Sequence, residues 1–275
     1  MTFKLYFNKS RLIRTSAFLL VASLLYALIL PSGVQAVQPF GANISNVLSN
    51  QTAPIPPPES FPAVAGNVTE LNLNGYSTTQ FWQGYYGNVS GSIILSNGAN
   101  NIFYNWSDAS PKGEVFASTN NSINWYNLQC FNFTATGAIN STGEVPGGTN
   151  QKGMNLSQLE GNFSIPPSAP DSVNNTFDLL PPGNHTTFYA SNLEFNSSEC
   201  QSTNIFSASG EGIAGQFQEV LQYDPSTNSV VFTSILNQNA LGFDNQSLDF
   251  EMLVLDDGAG TNTVPTPYYF YVELQ

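Results

Sequence analysis

The sequence predicts an all-β fold: an antiparallel β-sandwich, of jelly-roll or immunoglobulin-like type, with long loops and a preceding Pro-rich linker. Apolar side chains alternate with a period of two in several stretches, and Gly, Asn, Asp and Pro separate these stretches. No segment after residue 36 keeps a helical period. Eight or more short strands are typical of a sandwich, and the roughly 210 residues from Asn67 onward fit one domain.

Residues 1–36 are organised like a secretory signal peptide. Four of the six basic residues lie here, followed by an apolar run at 17–30 and by small residues at Val34 and Ala36. As a helix the apolar run would rise only about 21 Å, which is short of a hydrocarbon core of about 30 Å. We expect cleavage after Ala36 and no membrane span afterwards. A retained, pilin-type leader helix is the alternative.

Residues 37–66 are predicted to be a Pro-rich linker, and residues 67–275 the β-sandwich domain. The run from Ala53 to Pro58 contains four prolines, a composition that favours extended polyproline II geometry. An N-terminal arm that reaches a neighbouring subunit is a second interpretation. The apolar residues of the segment do not alternate as those of an inserted strand would.

Two hairpins are predicted from turn residues between alternating stretches. Residues 96–100 turn the chain between 89–95 and 102–106, and residues 224–228 turn it between 216–223 and 229–236. Alternation returns at 248–254 and at 268–274, with a turn at 256–260. The Gly- and Pro-rich region 137–183 is expected to form loops, with one helical turn at 156–159.

Charge excludes two classes of partner. After residue 36 only Lys112 and Lys152 are basic, whereas all 19 carboxylates lie there. Two cations cannot neutralise a row of phosphates or an anionic lipid surface, so no nucleic-acid or electrostatic membrane partner is expected. Near pH 4 the carboxylates lose their charge without leaving a strongly cationic chain, which favours an acidic habitat.

Cys130 and Cys200 are an even pair in a chain expected to be exported, which predicts one disulfide. A bridge that closes about 70 residues stabilises by about 4 kcal/mol in the chain-entropy model. A catalytic thiol is the alternative, but it has no candidate base nearby in the sequence.

Asn-x-Ser/Thr sequons are unusually dense after residue 36. In an exported chain they predict an N-glycosylated surface, and in a host without this modification they would be ordinary polar loop residues. The fourteen positions are Asn43, Asn50, Asn67, Asn88, Asn105, Asn120, Asn132, Asn140, Asn155, Asn162, Asn174, Asn184, Asn196 and Asn245.

Several aromatic and glycine motifs lie between residue 80 and the C-terminus. They include 81–91 (FWQGYYGNVSG), 104–107 (YNWS), 113–118 (GEVFAS), 122–130 (SINWYNLQC), 217–221 (FQEVL) and 268–274 (YYFYVEL). With these motifs the region resembles an uncharacterised group of secreted archaeal cell-surface proteins. The resemblance implies an archaeal extracellular setting and a β-rich fold, and it carries over no functional residues.

Catalytic chemistry has weak candidates. The single histidine, His185, lies in a sequon that is expected to be exposed, which is a poor position for a catalytic base. Paired carboxylates could hydrolyse glycosides, with Glu219 and Glu251, or Glu211 and Asp249, meeting across strands. Among 19 acids such pairs arise easily, so we expect no enzyme, and a secreted acid-acting glycoside hydrolase is only a lesser alternative.

Two binding candidates remain. Asp256 and Asp257 could hold calcium, although Asp-Gly is also ordinary turn chemistry, and no cofactor is otherwise expected. Aromatic side chains cluster at 81–86 and could stack on glycans or fill the core. The candidate stacking residues are Phe81, Trp82, Tyr85 and Tyr86. Tyr269 and Tyr271, on one face of the last strand, could instead form a subunit contact.

The function expected from these observations is a non-catalytic structural subunit of the cell exterior: a filament, coat or surface-layer-associated protein. Export, dense sequons, one disulfide and missing catalytic motifs favour it. Expected partners are further copies of the chain or other cell-surface proteins. The alternative is an adhesion module that binds carbohydrate or another cell's surface.

Overall fold

A computed structural model describes residues 38–108, 112–133, 153–180, 184–258 and 264–275, which belong to one compact unit, Val37–Gln275. Strands account for 35% of the chain and helices for 5%, and the sheets are antiparallel, which confirms the all-β class. The predicted disulfide is also present.

The strands and helices are short and are numbered in chain order. The strands are β1 (Phe40–Gly41), β2 (Trp82–Gly87), β3 (Gly91–Ser96), β4 (Ile102–Asp108), β5 (Gly113–Ser118), β6 (Gln129–Cys130), β7 (Phe188–Ala190), β8 (Leu193–Phe195), β9 (Ser202–Asn204), β10 (Gln218–Asp224), β11 (Ser229–Ile235), β12 (Ala240–Leu241), β13 (Ser247–Leu248), β14 (Phe250–Leu255) and β15 (Tyr269–Leu274). The helices are α1 (Leu156–Asn162) and α2 (Val173–Thr176).

Seven strands form a central sheet in the order β1-β15-β5-β11-β10-β6, with β9 also paired to β10. Strands β10 and β11 form the hairpin predicted around residues 224–228, where Asp224 Oδ1 accepts the backbone N–H of Ser226 at 2.8 Å. The last two long strands do not pair with each other. Strand β14 pairs with β2, whereas β15 lies between β5 and β1.

Both faces of the central sheet are buried. In β5, Val115 and Ala117 pack into one apolar core while Phe116 packs into another on the opposite face. Strands β10 and β11 alternate in the same way, and every residue of β5 and β10 is buried. Alternation in these strands therefore separates two cores rather than a core from solvent.

The first core is covered by the β2–β14 pair and by both helices. Met252, Val254 and Leu255 of β14 pack there with Leu159 of α1. Helix α1 extends the helical turn predicted at 156–159 and begins at a capping box. In this box the Asn155 and Gln158 side chains each accept the other's backbone N–H at 3.0 Å.

The second core is covered by the β7–β8 pair and by the chain before β6. Phe188 and Phe195 stack with ring centroids 4.9 Å apart, and Trp125 packs between Phe116 and Tyr271. Cys130 of β6 is bonded to Cys200, just before β9, so the disulfide ties together two short strands that pair one after the other along the same edge of β10.

Two segments contribute little to either core. After β1 has paired with β15, the chain from residue 42 to residue 80, here called the arm, forms no helix or strand, and its side chains are exposed. Strands β3 and β4 with their turn, here called the hairpin, form a separate two-stranded sheet, as predicted. Among the described residues, no helix has both the length and the apolar character needed to span a membrane.

Candidate functional site

His185 is buried beside the disulfide, and the expectation that it lies in an exposed loop is wrong. Its Nε2 accepts the backbone N–H of Cys200 at 2.9 Å, and its Nδ1 lies 2.8 Å from the carbonyl oxygen of Thr186. One tautomer, with the proton on Nδ1, satisfies both contacts. Burial lowers the pKa of His185, so the neutral ring is favoured. Both ring nitrogens are therefore engaged with backbone groups, and neither faces a nucleophile.

Sequons differ sharply in accessibility. Asn132 and Asn184 are buried, and the Asn184 amide donates to the carbonyl oxygens of Leu179 and Cys200. These two positions therefore do not present their amides at the surface. Asn120 and Asn155 are half-buried, Asn140 lies outside the described residues, and the remaining nine are exposed.

The aromatic cluster at 81–86 is divided between the core and the surface. Phe81 is buried, the Trp82 indole donates to the carbonyl oxygen of Asp171 at 2.7 Å, and Tyr85 packs edge-on against Phe270. Tyr86 is exposed and meets Phe243 edge-on, with ring centroids 4.9 Å apart. Phe81 is thus buried and Trp82 and Tyr85 are half-buried, which leaves Tyr86 as the most exposed of the four candidate stacking rings.

Asp256 and Asp257 lie at the end of β14 and are partly exposed. Asp256 Oδ1 accepts the backbone N–H of Thr266 at 3.1 Å, which closes the loop before β15. Within the described ranges no three acidic, His or Cys side chains gather as metal ligands would, and residues 259–263 of this loop are outside those ranges. Calcium binding here remains a prediction.

Three of the four carboxylates considered for hydrolysis accept backbone hydrogen bonds that hold the fold together. Glu219 is fully buried, and its Oε2 accepts the backbone N–H of Leu253 at 2.8 Å. Glu251 is buried and accepts the N–H of Phe243 at 2.9 Å, while Asp249 accepts those of Val89 and Asn239. Glu211 lies in an exposed loop. Since neither Glu219 nor Glu251 reaches solvent, a polysaccharide cannot lie between them.

A further carboxyl pair was not predicted from the sequence. Glu114 of β5 and Glu273 of β15 are cross-strand neighbours, and both are buried at the edge of the second core. Burial raises the pKa of Glu114 to about 8, with a further contribution from the nearby Glu273. The only sequence signal was an acidic residue within each of two otherwise apolar strands.

A shallow cavity of about 230 Å³ lies between α1 and the β10–β11 turn. None of the buried glutamates lines it. Tyr268 is its titratable side chain, and burial raises the pKa of that phenol while its hydroxyl donates to the carbonyl oxygen of Leu255. The residues that line the cavity include the hydroxyl groups of Thr119 and Ser229 but no carboxylate or histidine that could act as their base.

The candidate functional site is instead an exposed apolar surface. More than half of the large exposed apolar side chains of the described residues lie in the arm and the hairpin. In the arm, Leu48, Ile55 and Val68 are almost fully exposed. In the hairpin, Phe103 is 83% exposed. Apolar surface concentrated in this way marks interaction sites.

Comparison with models of known protein families, with curated proteins and with solved structures found no match to this chain.

Proposed function

We propose that this protein is a non-catalytic structural subunit of the cell exterior, N-glycosylated and assembled into a filament, coat or surface-layer-associated array. The observation that carries the proposal is the apolar surface of the arm and hairpin, which the described residues of the body leave uncovered. The proposal includes export through residues 1–36, an archaeal setting and a β-sandwich body in which β2 and β14 form the second layer.

The arm supports assembly because few contacts within the part of the chain that the structure describes hold it. Its contacts with the body include a hydrogen bond from Thr79 to Asp171 at 2.6 Å and one between Ser49 and Tyr86 at 3.0 Å. Ordering a residue costs about 1–2 kcal/mol of backbone entropy, and buried apolar area must offset that cost. In a single molecule the apolar side chains of the arm bury little area, whereas neighbouring subunits would bury more.

A second candidate function is carbohydrate or cell-surface adhesion. Tyr86 and Phe243 form an exposed pair of aromatic rings, and exposed rings can stack on sugars. A Tyr86→Ala variant that loses binding on a glycan array, where the native protein binds, would favour adhesion.

Electron microscopy of the native secreted protein, together with sedimentation velocity over a range of concentrations, tests the structural proposal. We expect association that increases with concentration and ordered filaments or sheets. A protein that stays monomeric at every concentration in its native buffer and ions would contradict the proposal.

A further inference from the structure

Both faces of the hairpin carry exposed apolar side chains, but they differ in that only one of them also carries a sequon. In the register of β3 with β4, Ile93 lies opposite Trp106 and Leu95 lies opposite Tyr104, so these four side chains share one face. The Tyr104 and Trp106 rings are in contact, with centroids 4.7 Å apart. Ile94 lies opposite Asn105 on the other face. We call the face formed by Ile93, Leu95, Tyr104 and Trp106 the apolar hairpin face.

The opposite face, here called the sequon face, carries Asn105 together with the exposed apolar side chains of Ile94 and Phe103. Asn105 is exposed, so a glycan attached there would extend away from the apolar hairpin face. A second exposed sequon, Asn88, lies just before β3. A glycan on the sequon face would cover part of that face and leave the apolar hairpin face free for a protein contact.

The chain itself holds the hairpin at its base. Gly91 lies so close to Leu274 at the end of β15 that a Cβ on Gly91 would be 2.3 Å from the leucine Cδ1. Beyond the base, all four side chains of the apolar hairpin face are 48–55% exposed, and none belongs to either core. A two-stranded hairpin alone is marginally stable in water, so this element gains stability when its apolar face is covered.

Area and charge point to another copy of the chain as the covering partner. The four side chains expose on the order of 500 Å², so two such faces in contact bury about 1,000 Å², the threshold for a specific interface. Residues 91–107 contain no charged side chain, and the hairpin's one acidic residue, Asp108, pairs with Gly91 at its base, in a chain of formal net charge −13. Two copies can therefore meet here without the like-charge repulsion of their acidic surfaces, whereas a basic partner would be attracted to those surfaces instead.

We propose that the hairpins of two molecules pack through their apolar hairpin faces about a two-fold axis, with the Asn105 glycans directed outward. This proposal rests on the proposed function as a structural subunit, and it specifies one contact through which two copies of the chain would assemble. In an isologous contact each hairpin supplies the same four side chains to the other, so one substitution acts twice in every dimer.

Two neighbouring residues of β3 provide a matched test. Leu95 is 51% exposed on the apolar hairpin face, and Ile94 is 49% exposed on the opposite face. Leu95→Asp and Ile94→Asp thus add the same charge to the same strand at the same exposure. Burying an unpaired carboxylate in the contact should raise the dimer Kd by about tenfold or more for Leu95→Asp. Ile94→Asp should leave the Kd near the native value.

Sedimentation velocity of the full exported protein measures the dimer Kd of each variant. Circular dichroism with thermal melting checks that each variant is folded. Equal weakening by both substitutions would show edge-to-edge pairing of hairpins and overturn the proposed face. Unchanged association in Leu95→Asp would also overturn it, while the structural function would stand because assembly persists. A native protein that never associates would remove both proposals.

A spectroscopic measurement serves as an independent check. Trp106 is half exposed, whereas Trp125 is buried. Dimerisation through the apolar hairpin face should shift tryptophan emission to shorter wavelength as concentration rises, and Trp106→Phe should abolish the shift. A shift that persists in Trp106→Phe would place the contact elsewhere and contradict the proposal.

Discussion

Glu114 on β5 and Glu273 on β15 lie directly opposite each other in the central sheet, and both carboxyl groups are buried. Backbone N–H groups hold them in place: Tyr189 donates to Glu114 at 3.1 Å, and Ser191 donates to Glu273 at 2.7 Å. Burial is the main cause that raises the pKa of each group. Two like charges at this position would repel, so the fold favours protonated carboxyls.

The first prediction is that stability falls as pH rises. The pKa values of Glu114 and Glu273 are higher in the folded than in the unfolded chain, so their protonated carboxyls stabilise the fold. This stabilisation is complete below about pH 4 and is lost as pH rises through the folded pKa, which is about 8 for Glu114. From Glu114 alone we expect the free energy of unfolding, measured with urea, to fall by about 3 kcal/mol between pH 4 and pH 7.

Glu114→Gln should flatten this pH dependence, because the amide stays neutral and can still accept the Tyr189 N–H. Glu59→Gln, at an exposed position in the arm, is the matched control and should leave the dependence unchanged. A native protein that is equally stable, or more stable, at pH 7 than at pH 4.5 would contradict this account of the pair. Acid stability of this kind, once measured, would support the acidic habitat expected from the sequence.

The second prediction separates the hydrogen bond of Glu219 from its charge. Burial raises its pKa well above the usual range, and the carboxyl accepts the Leu253 N–H. At pH 7, Glu219→Gln should be at least as stable as the native protein because it keeps an acceptor and buries no charge. Glu219→Leu should lose about 1–3 kcal/mol because it leaves the Leu253 N–H unsatisfied. Equal losses in the two variants, measured by urea unfolding, would show that this bond does not matter.

The third prediction concerns protonation of His185. As the only histidine of the chain, it gives a single set of imidazole signals in a nuclear magnetic resonance titration. Because burial favours the neutral ring, the signals should titrate below pH 6.5. The stability that the neutral ring contributes is present above pH 6.5 and is lost as pH falls through the folded pKa. Titration above 6.5 would contradict the buried geometry.

The fourth prediction concerns which sequons carry glycans. Glycopeptide mass spectrometry of the native protein should find Asn184 unmodified, because its amide is buried and donates two hydrogen bonds. Asn105 and Asn88 are exposed and should be occupied. Modified Asn184 in folded protein would mean that glycosylation precedes folding of this loop, and an unmodified Asn105 would mean that the sequon face of the hairpin carries no glycan.

The fifth prediction concerns the disulfide. Replacing Cys130 and Cys200 with alanine releases a cross-link between positions 70 residues apart. We expect the free energy of unfolding to fall by up to about 4 kcal/mol, since the unfolded chain regains the entropy of the open loop. Urea unfolding at one fixed pH gives the difference. An unchanged free energy of unfolding would mean that the hydrogen bonds around β9 and His185 stabilise this region without the disulfide.

Local features of the chain were predictable because neighbouring residues determine them. The β3–β4 and β10–β11 hairpins each have a short polar turn between alternating stretches, and both form as predicted. The helical turn at 156–159 belongs to α1, whose capping box lies within four residues. Helix α2 was missed because its single turn depends on the Ser172 cap and on burial of Val173.

The sequence alone therefore determined the β-rich class, the two hairpins and the pairing of the only two cysteines. Tertiary structure decided which distant strands meet, and with them the Glu114–Glu273 pair and the burial of His185 and Asn184. Alternation predicts that a strand has two faces, but it does not tell whether the second face meets solvent or another core. That choice depends on contacts between residues more than a hundred positions apart, and only the folded chain brings those residues together.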